Sequence, residues 1–124
     1  MDHRQELGRV GEDLAVAALL ERGYAIVARR YRTERGEIDI IAEDGPTLVF
    51  VEVRARADGE CGLAAESVTD AKRRKVSRMA AQYLALNHVV DRPCRFDVVA
   101  IDGALGETPA VTLYPNAFDA CGLG

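Results

Sequence analysis

The sequence has no tryptophan and only three phenylalanines and four tyrosines in 124 residues. A protein that binds exposed bases by stacking needs aromatic side chains grouped on one surface. Tyr24, Tyr31, Tyr83 and Tyr114 fall instead where a core or a strand accounts for them. Cysteine is as scarce. Cys61, Cys94 and Cys121 are odd in number and far apart, and the two histidines, His3 and His88, stand at no metal-ligand spacing from them. That argues against a disulfide framework and against a structural zinc site. No apolar run approaches the roughly 20 residues that cross a bilayer. Met1-Asp2-His3-Arg4-Gln5-Glu6 lacks the basic cap, apolar block and cleavage site of a secretory leader. These absences predict a soluble, cytoplasmic protein without a membrane partner.

Repeats, low-complexity tracts and Pro/Ser-rich linkers are also missing, so one domain is expected over residues 1–124. Its core spans about 5–102, and a short strand and tail occupy 103–124. The 48% hydrophobic content is enough for a single core and too high for disorder. The formal charge of −4 argues against a surface coated in positive charge. Its distribution is uneven. Arg29, Arg30, Arg32 and Arg35 crowd one stretch, and Lys72, Arg73, Arg74, Lys75 and Arg78 another. Brought together they would make a basic face for phosphate; apart, they are two solvated charge runs.

The pattern of elements is that of an α/β protein, in the order αβββαββ. A helix is expected from about Arg4 to Arg22, with Leu7, Val10, Leu14, Ala17 and Ala18 on its apolar face and Gly23 ending it. Gly8 and Gly11 cost helix stability and mark close packing or a late start. Tyr24 to Tyr31, Glu37 to Ala42 and Leu48 to Arg54 read as strands, with a turn at Thr33–Gly36. Asp44-Gly45-Pro46 folds the second and third strands into an antiparallel hairpin. Ala57 to Glu66 reads as a mobile loop. Thr69 can cap a second helix over Asp70 to Asn87, striped by Val76, Met79, Ala80, Tyr83 and Leu84. Arg95 to Ile101 is a fourth strand and Val111 to Tyr114 a short fifth.

The anomaly lies in the hairpin. Alternation puts Glu37, Asp39 and Ile41 on one face of the second strand. It puts Leu48, Phe50, Glu52 and Arg54 opposite Val49, Val51 and Val53 on the third. Pairing Glu43 with Leu48 sets Asp39 directly across from Glu52, carboxylates on the same side. Facing carboxylates repel unless a cation or a proton lies between them. A one-residue slip would separate them. Mg²⁺, which takes oxygen ligands and often only one or two carboxylates, meets that need. Two bland readings stay open: Glu52 and Arg54 as ordinary strand charges, or Asp39 paired with a nearby arginine. Lys72 continues the apolar stripe of the second helix, so its ammonium must either reach an anion or stretch out to water.

Gly11-Glu12, Gly23-Tyr24, Gly36-Glu37-Ile38-Asp39-Ile40-Ile41, Val49-Phe50-Val51-Glu52-Val53-Arg54-Ala55-Arg56, Lys72 and Arg95-Phe96-Asp97-Val98-Val99 occur in that order. Together they resemble the YraN-like family of bacterial proteins, itself similar to Holliday-junction resolvases and other restriction-endonuclease-like nucleases. The resemblance covers about residues 5 to 120. It implies a single-domain αβββαβ nuclease core with a PD-(D/E)xK motif, a small mixed sheet flanked by helices. Asp39 and Glu52 would match the motif's acidic residues and ligate the metal, with the Val53 carbonyl as a third ligand. Glu12 would match an assisting first-helix carboxylate, although it shares a flank with Ala15, Val16 and Leu19 and also fits a boundary charge. Arg54 stands where the general motif has lysine. Arginine stays protonated and cannot act as a base. It can hold phosphate, leaving water activation to the metal or to Lys72 or Lys75.

The expected function is a Mg²⁺- or Mn²⁺-dependent endonuclease acting on DNA, with branched or structured DNA as the substrate suggested by the resemblance. Asp39, Glu52, Arg54 and Glu12 are its candidate catalytic residues. Arg54, Arg56, Lys72, Lys75, Arg30 and Arg32 are its candidate nucleic-acid contacts. The competing expectations are a non-catalytic nucleic-acid-binding module on the same fold, and a dimeric interaction protein. A homodimer would supply a second basic face.

Overall fold

Every element expected from the sequence forms, and the order along the chain is αβββαββ. The computed structural model describes residues 3–57 and 69–117. The loop expected at Ala57 to Glu66 therefore lies, past Ala57, outside the described residues, as do Cys61 and Cys121. Helix α1 covers His3–Glu21 and α2 covers Asp70–Leu86. The strands are β1 (Ala25–Thr33), β2 (Gly36–Asp44), β3 (Thr47–Ala55), β4 (Cys94–Asp102) and β5 (Ala110–Tyr114). They form one five-stranded sheet in chain order, β1-β2-β3-β4-β5. All neighbours are antiparallel except β3 and β4, which run parallel with α2 between them in the chain. Among the described residues, no helix is long and apolar enough to cross a membrane.

Period-two alternation in β3 and β4 divides the core into two layers. On one face Leu48, Phe50, Phe96 and Val98 meet Val76, Met79 and Ala80 of α2. On the other, Val49, Val51, Val99 and Ile101 meet Ala15 and Leu19 of α1. The aromatics belong to this packing, not to a stacking platform. Tyr83 sits edge-on to Tyr31 and Phe50, with centroids 5.2 and 5.9 Å away, and Phe50 stacks on Phe96 at 5.6 Å.

The punctuation residues act as their chemistry predicts. Gly23, at φ 91°, takes the left-handed position after α1, and its N–H bonds to the Leu20 carbonyl at 3.0 Å. Thr69 caps α2 through a hydrogen bond from the Lys72 N–H at 3.2 Å. Gly45, at φ 60°, and Pro46 form a two-residue turn between the paired Asp44 and Thr47.

The helical glycines part company. A Cβ on Gly11 would lie 2.7 Å from the Ala55 Cβ, whereas one on Gly8 would meet nothing within 4 Å. Gly11 therefore lets α1 touch β3. Gly11→Val is expected to cost about 1–3 kcal/mol, because a short, stiff neighbour cannot yield. Gly8→Ala should gain up to about 1 kcal/mol from helix propensity. Urea denaturation of the two variants checks the opposite signs.

Candidate functional site

The site begins with an irregularity at Arg30, whose backbone takes φ 51° in the middle of β1. A non-glycine residue in the left-handed region of a strand interrupts its alternation. Ala28 and Tyr31 are three residues apart yet pack on the same α2-side layer. So do Ile38 and Ile41 on the facing strand. Arg29 pairs with Ile40 and Tyr31 with Ile38, which leaves Arg30 across from Asp39. Simple alternation would have grouped Asp39 with Ile41. The break turns its carboxylate toward the seam between β2 and β3.

The ladder between β2 and β3 has the expected register, Glu43 with Leu48, and ends at Ile40 with Val51. It stops one pair short of Asp39 and Glu52. Asp39 Oδ2 spans the opening by accepting the Val53 N–H at 2.8 Å. Glu52 follows Leu48 and Phe50 onto the α2 face and is only 2% exposed. Lys72 Nζ lies 3.2 Å from Glu52 Oε1, so the ammonium aligned with the apolar stripe does reach an anion. Arg54 Nη1 is 3.8 Å from the same oxygen. The other oxygen, Glu52 Oε2, is buried with no N–H donor against it, and the Asp39 and Glu52 carboxyls lie close enough to share a proton.

Burial, then the nearby Asp39 carboxylate, pushes the Glu52 carboxyl up to about 7 against the pull of Lys72. Burial also raises Asp39. The Val53 N–H is the main opposing influence, and the charge of Glu12 adds to the rise. Asp39 thus senses Glu52 and Lys72 from one layer and Glu12 from the other. Two carboxyls that resist ionising together, one with an oxygen that meets no N–H donor, form a locus that a cation would relieve. Their hard oxygens suit Mg²⁺ or Mn²⁺, which bind one or two carboxylates and complete their shells with neutral oxygens. The Val53 carbonyl belongs to the residue whose N–H Asp39 holds. The donor set fits such an ion. Among the described residues no cluster of three His, Cys, Asp or Glu forms, so Glu12 does not join the pair.

Glu12 is buried in α1 and committed to β1: Arg30 Nε donates to its Oε2 at 2.9 Å, and Arg29 Nη2 lies 3.3 Å from that oxygen. Glu12 Oε1 is buried and unpartnered. Arg32 donates to Glu37 at 3.2 Å. Two of the expected phosphate contacts, Arg30 and Arg32, are therefore held by carboxylates of their own chain. Lys75 lies across Gly36, where a Cβ would stand 2.9 Å from its Cε, so α2 covers the β1–β2 turn. That contact sets Lys75 of the second basic stretch beside the turn that ends the first, whereas Arg29 and Arg30 face Glu12 and Asp13 of α1. Arg56 continues β3, its N–H bonded to the Ile101 carbonyl at 2.8 Å.

A cleft of about 670 Å³ opens on the α1 side of this seam, with Arg4, Gly8, Arg9 and Glu12 along the helix and Asp39, Val53 and Arg54 at the strands. Of its helical wall only Glu12 was expected from the sequence; Arg4, Gly8 and Arg9 were not. Arg4, Gly8 and Glu12 recur every fourth residue, a stripe on one helix face with its middle side chain absent.

Comparison with known proteins places this architecture. The model described as "Uncharacterised protein family UPF0102" matches residues 11–101. The chain belongs to that family. A UPF0102 protein of Anaeromyxobacter dehalogenans (strain 2CP-C) is 46% identical over 121 residues, covering 98% of this chain and 90% of the relative. One from Geotalea uraniireducens (strain Rf4) is 45% identical over 115 residues, covering 93% and 91%. The UPF0102 protein STH1475 of Symbiobacterium thermophilum is 43% identical over 116 residues, covering 94% and 98%. The span matched by the UPF0102 model takes in Glu12, Asp39, Glu52, Arg54 and Lys72, whereas Arg4 and Gly8 precede it.

Proposed function

We propose that this UPF0102 chain is a divalent-metal-dependent phosphodiesterase that cuts DNA. The reading is carried by one observation: a buried Glu52 with an oxygen that meets no N–H donor, beside an Asp39 released from its ladder. The αβββαβ order and the motif resemblance support it. A bound divalent cation would supply the charge that activates water and offsets the negative charge growing on phosphorus. Asp39 and Glu52 would hold that ion, with the Val53 carbonyl as the neutral donor. Asp39 also keeps the seam open by occupying the Val53 N–H. Arg54, protonated at any working pH, grips the scissile phosphate through two parallel N–H bonds. Lys72, already against Glu52, would turn its remaining N–H groups toward phosphate. Lys75 and Arg56 extend the basic track, and Arg30 and Arg32 join it by exchanging their carboxylate partners for phosphate.

Incubation with labelled linear and branched DNA is expected to give cleavage in Mg²⁺ or Mn²⁺, none in EDTA, and none with Asp39→Ala. Cleavage that survives EDTA or Asp39→Ala would overturn the assignment. The Lys72–Glu52 contact favours a second reading, in which the ammonium and the Arg54 guanidinium stand in for a metal ion and the protein binds DNA without cutting it. Binding that is lost at high salt and never accompanied by cleavage in either metal selects that reading.

A further inference from the structure

We infer that the cleft under α1 holds one nucleotide detached from its duplex, beside the phosphate to be cut. This rests on the phosphodiesterase reading and adds to it the form of the substrate. At about 670 Å³ the cleft lies within the roughly 300–1,000 Å³ of pockets that enclose a drug-sized molecule. That is room for a nucleotide and too little for a base-paired helix. Its chemistry is divided as a nucleotide's is. Arg4 and Arg9, the latter 3.9 Å from Asp13 one helical turn on, bring guanidinium groups that could exchange to phosphate, while Leu7 and Ala55 offer apolar surface to a base or sugar. Glu12 Oε1 is a buried acceptor without a donor, which suits a base N–H. Asp39 and Val53 close the strand side of the same space, so an occupant abuts Asp39, the member of the acidic pair on this side of the sheet. Enzymes that act within such pockets take substrates whose nucleotide is already unpaired, or extrude it from the stack.

Gly8 is what keeps the space clear. It lies on the cleft wall, and a Cβ added there meets nothing within 4 Å. Gly8→Leu should therefore fill the cleft without disturbing the fold, and unchanged circular dichroism verifies that. Binding is read by fluorescence polarisation in EDTA, so it does not depend on cleavage. The probes are a blunt DNA duplex, the same duplex with a short unpaired flap, and thymidine 3′,5′-bisphosphate as competitor. The wild type is expected to bind the flapped duplex about tenfold tighter than the blunt one. Gly8→Leu should abolish that preference and leave blunt-duplex affinity alone, and Arg9→Glu should weaken it. Displacement of the flap by the bisphosphate supports the nucleotide assignment. Equal wild-type affinity for the two duplexes, or a preference that survives Gly8→Leu, overturns it. Bisphosphate binding without any flap preference overturns it too, by giving the cleft to free nucleotides. Failure of the phosphodiesterase reading would show separately, as the absence of metal-dependent cleavage on every substrate.

Discussion

Glu52→Gln is expected to make the metal-free protein more stable at pH 8 by on the order of 2–3 kcal/mol, while lowering cleavage about 100–1,000-fold. The gain follows from the carboxyl's position near 7 in the fold against 4.5 in the unfolded chain. Because folding raises this acid's pKa, ionisation weakens the fold. The penalty is absent below about pH 4.5, grows between 4.5 and 7, and is complete above 7. Glutamine keeps the shape and carries no charge, so variant and wild type should coincide in stability near pH 4.5 and diverge as pH rises. Lys72 loses its partner but is about one-third exposed and can turn to water. The loss of activity reflects the removal of one arm of a preorganised electrostatic site. Mn²⁺ should stabilise the wild type and leave the variant unmoved, since a ligand that binds only the folded state adds to its stability. Urea titrations at several pH values decide the matter. A variant less stable than wild type at pH 8 would mean that the ion pair with Lys72 outweighs the cost of burying the carboxylate.

Asp97→Ala is expected to cost about 3–5 kcal/mol, a large share of the roughly 5–15 kcal/mol that holds a domain of this size together. Asp97 is fully buried in β4. It accepts the Tyr24 hydroxyl at 2.9 Å, Arg95 Nε at 2.8 Å and Nη2 at 3.0 Å, and the Asn116 N–H at 2.9 Å. One carboxylate thereby joins the end of α1, the start of β4 and the chain after β5. Arg95 also donates to the Tyr24 hydroxyl at 2.6 Å and pairs with Asp44 at 3.0 Å, closing the network at the hairpin turn. Burial and the Asp97 bond push the Tyr24 phenol up to about 12. Alanine would strand a phenol, an N–H and part of a guanidinium, whereas Asp97→Asn keeps an acceptor and should cost less. Denaturation midpoints for both variants test this, and a cost under about 1 kcal/mol for alanine would show that water replaces the network.

The hairpin register was legible because Asp44-Gly45-Pro46 determines where the chain reverses and the valines of β3 declare their face. Lys72 was legible as a charge on an apolar stripe, which has few places to go. Arg30 was not. Left-handed backbone is usually signalled by glycine or asparagine, and a run of arginines carries no such mark. Without that break the exit of Asp39 into the seam could not be foreseen, only its register. Asp97 escaped notice for a different reason: its phenol partner, Tyr24, lies 73 residues away, beyond any local pattern. The arginines of β1 counted as available charge until the fold set Glu12, Asp13 and Glu37 against them.

The sheet follows the order of the chain, and this decides which parts of the molecule can breathe. Its margins are β1 and β5, and the pairing of β2 with β3 lies inside both. Local opening that starts at either margin must dissolve an intervening pairing before it disturbs the spacing of the two carboxylates. The sheet can loosen at its borders while Asp39 and Glu52 keep their places on either side of the β2–β3 seam.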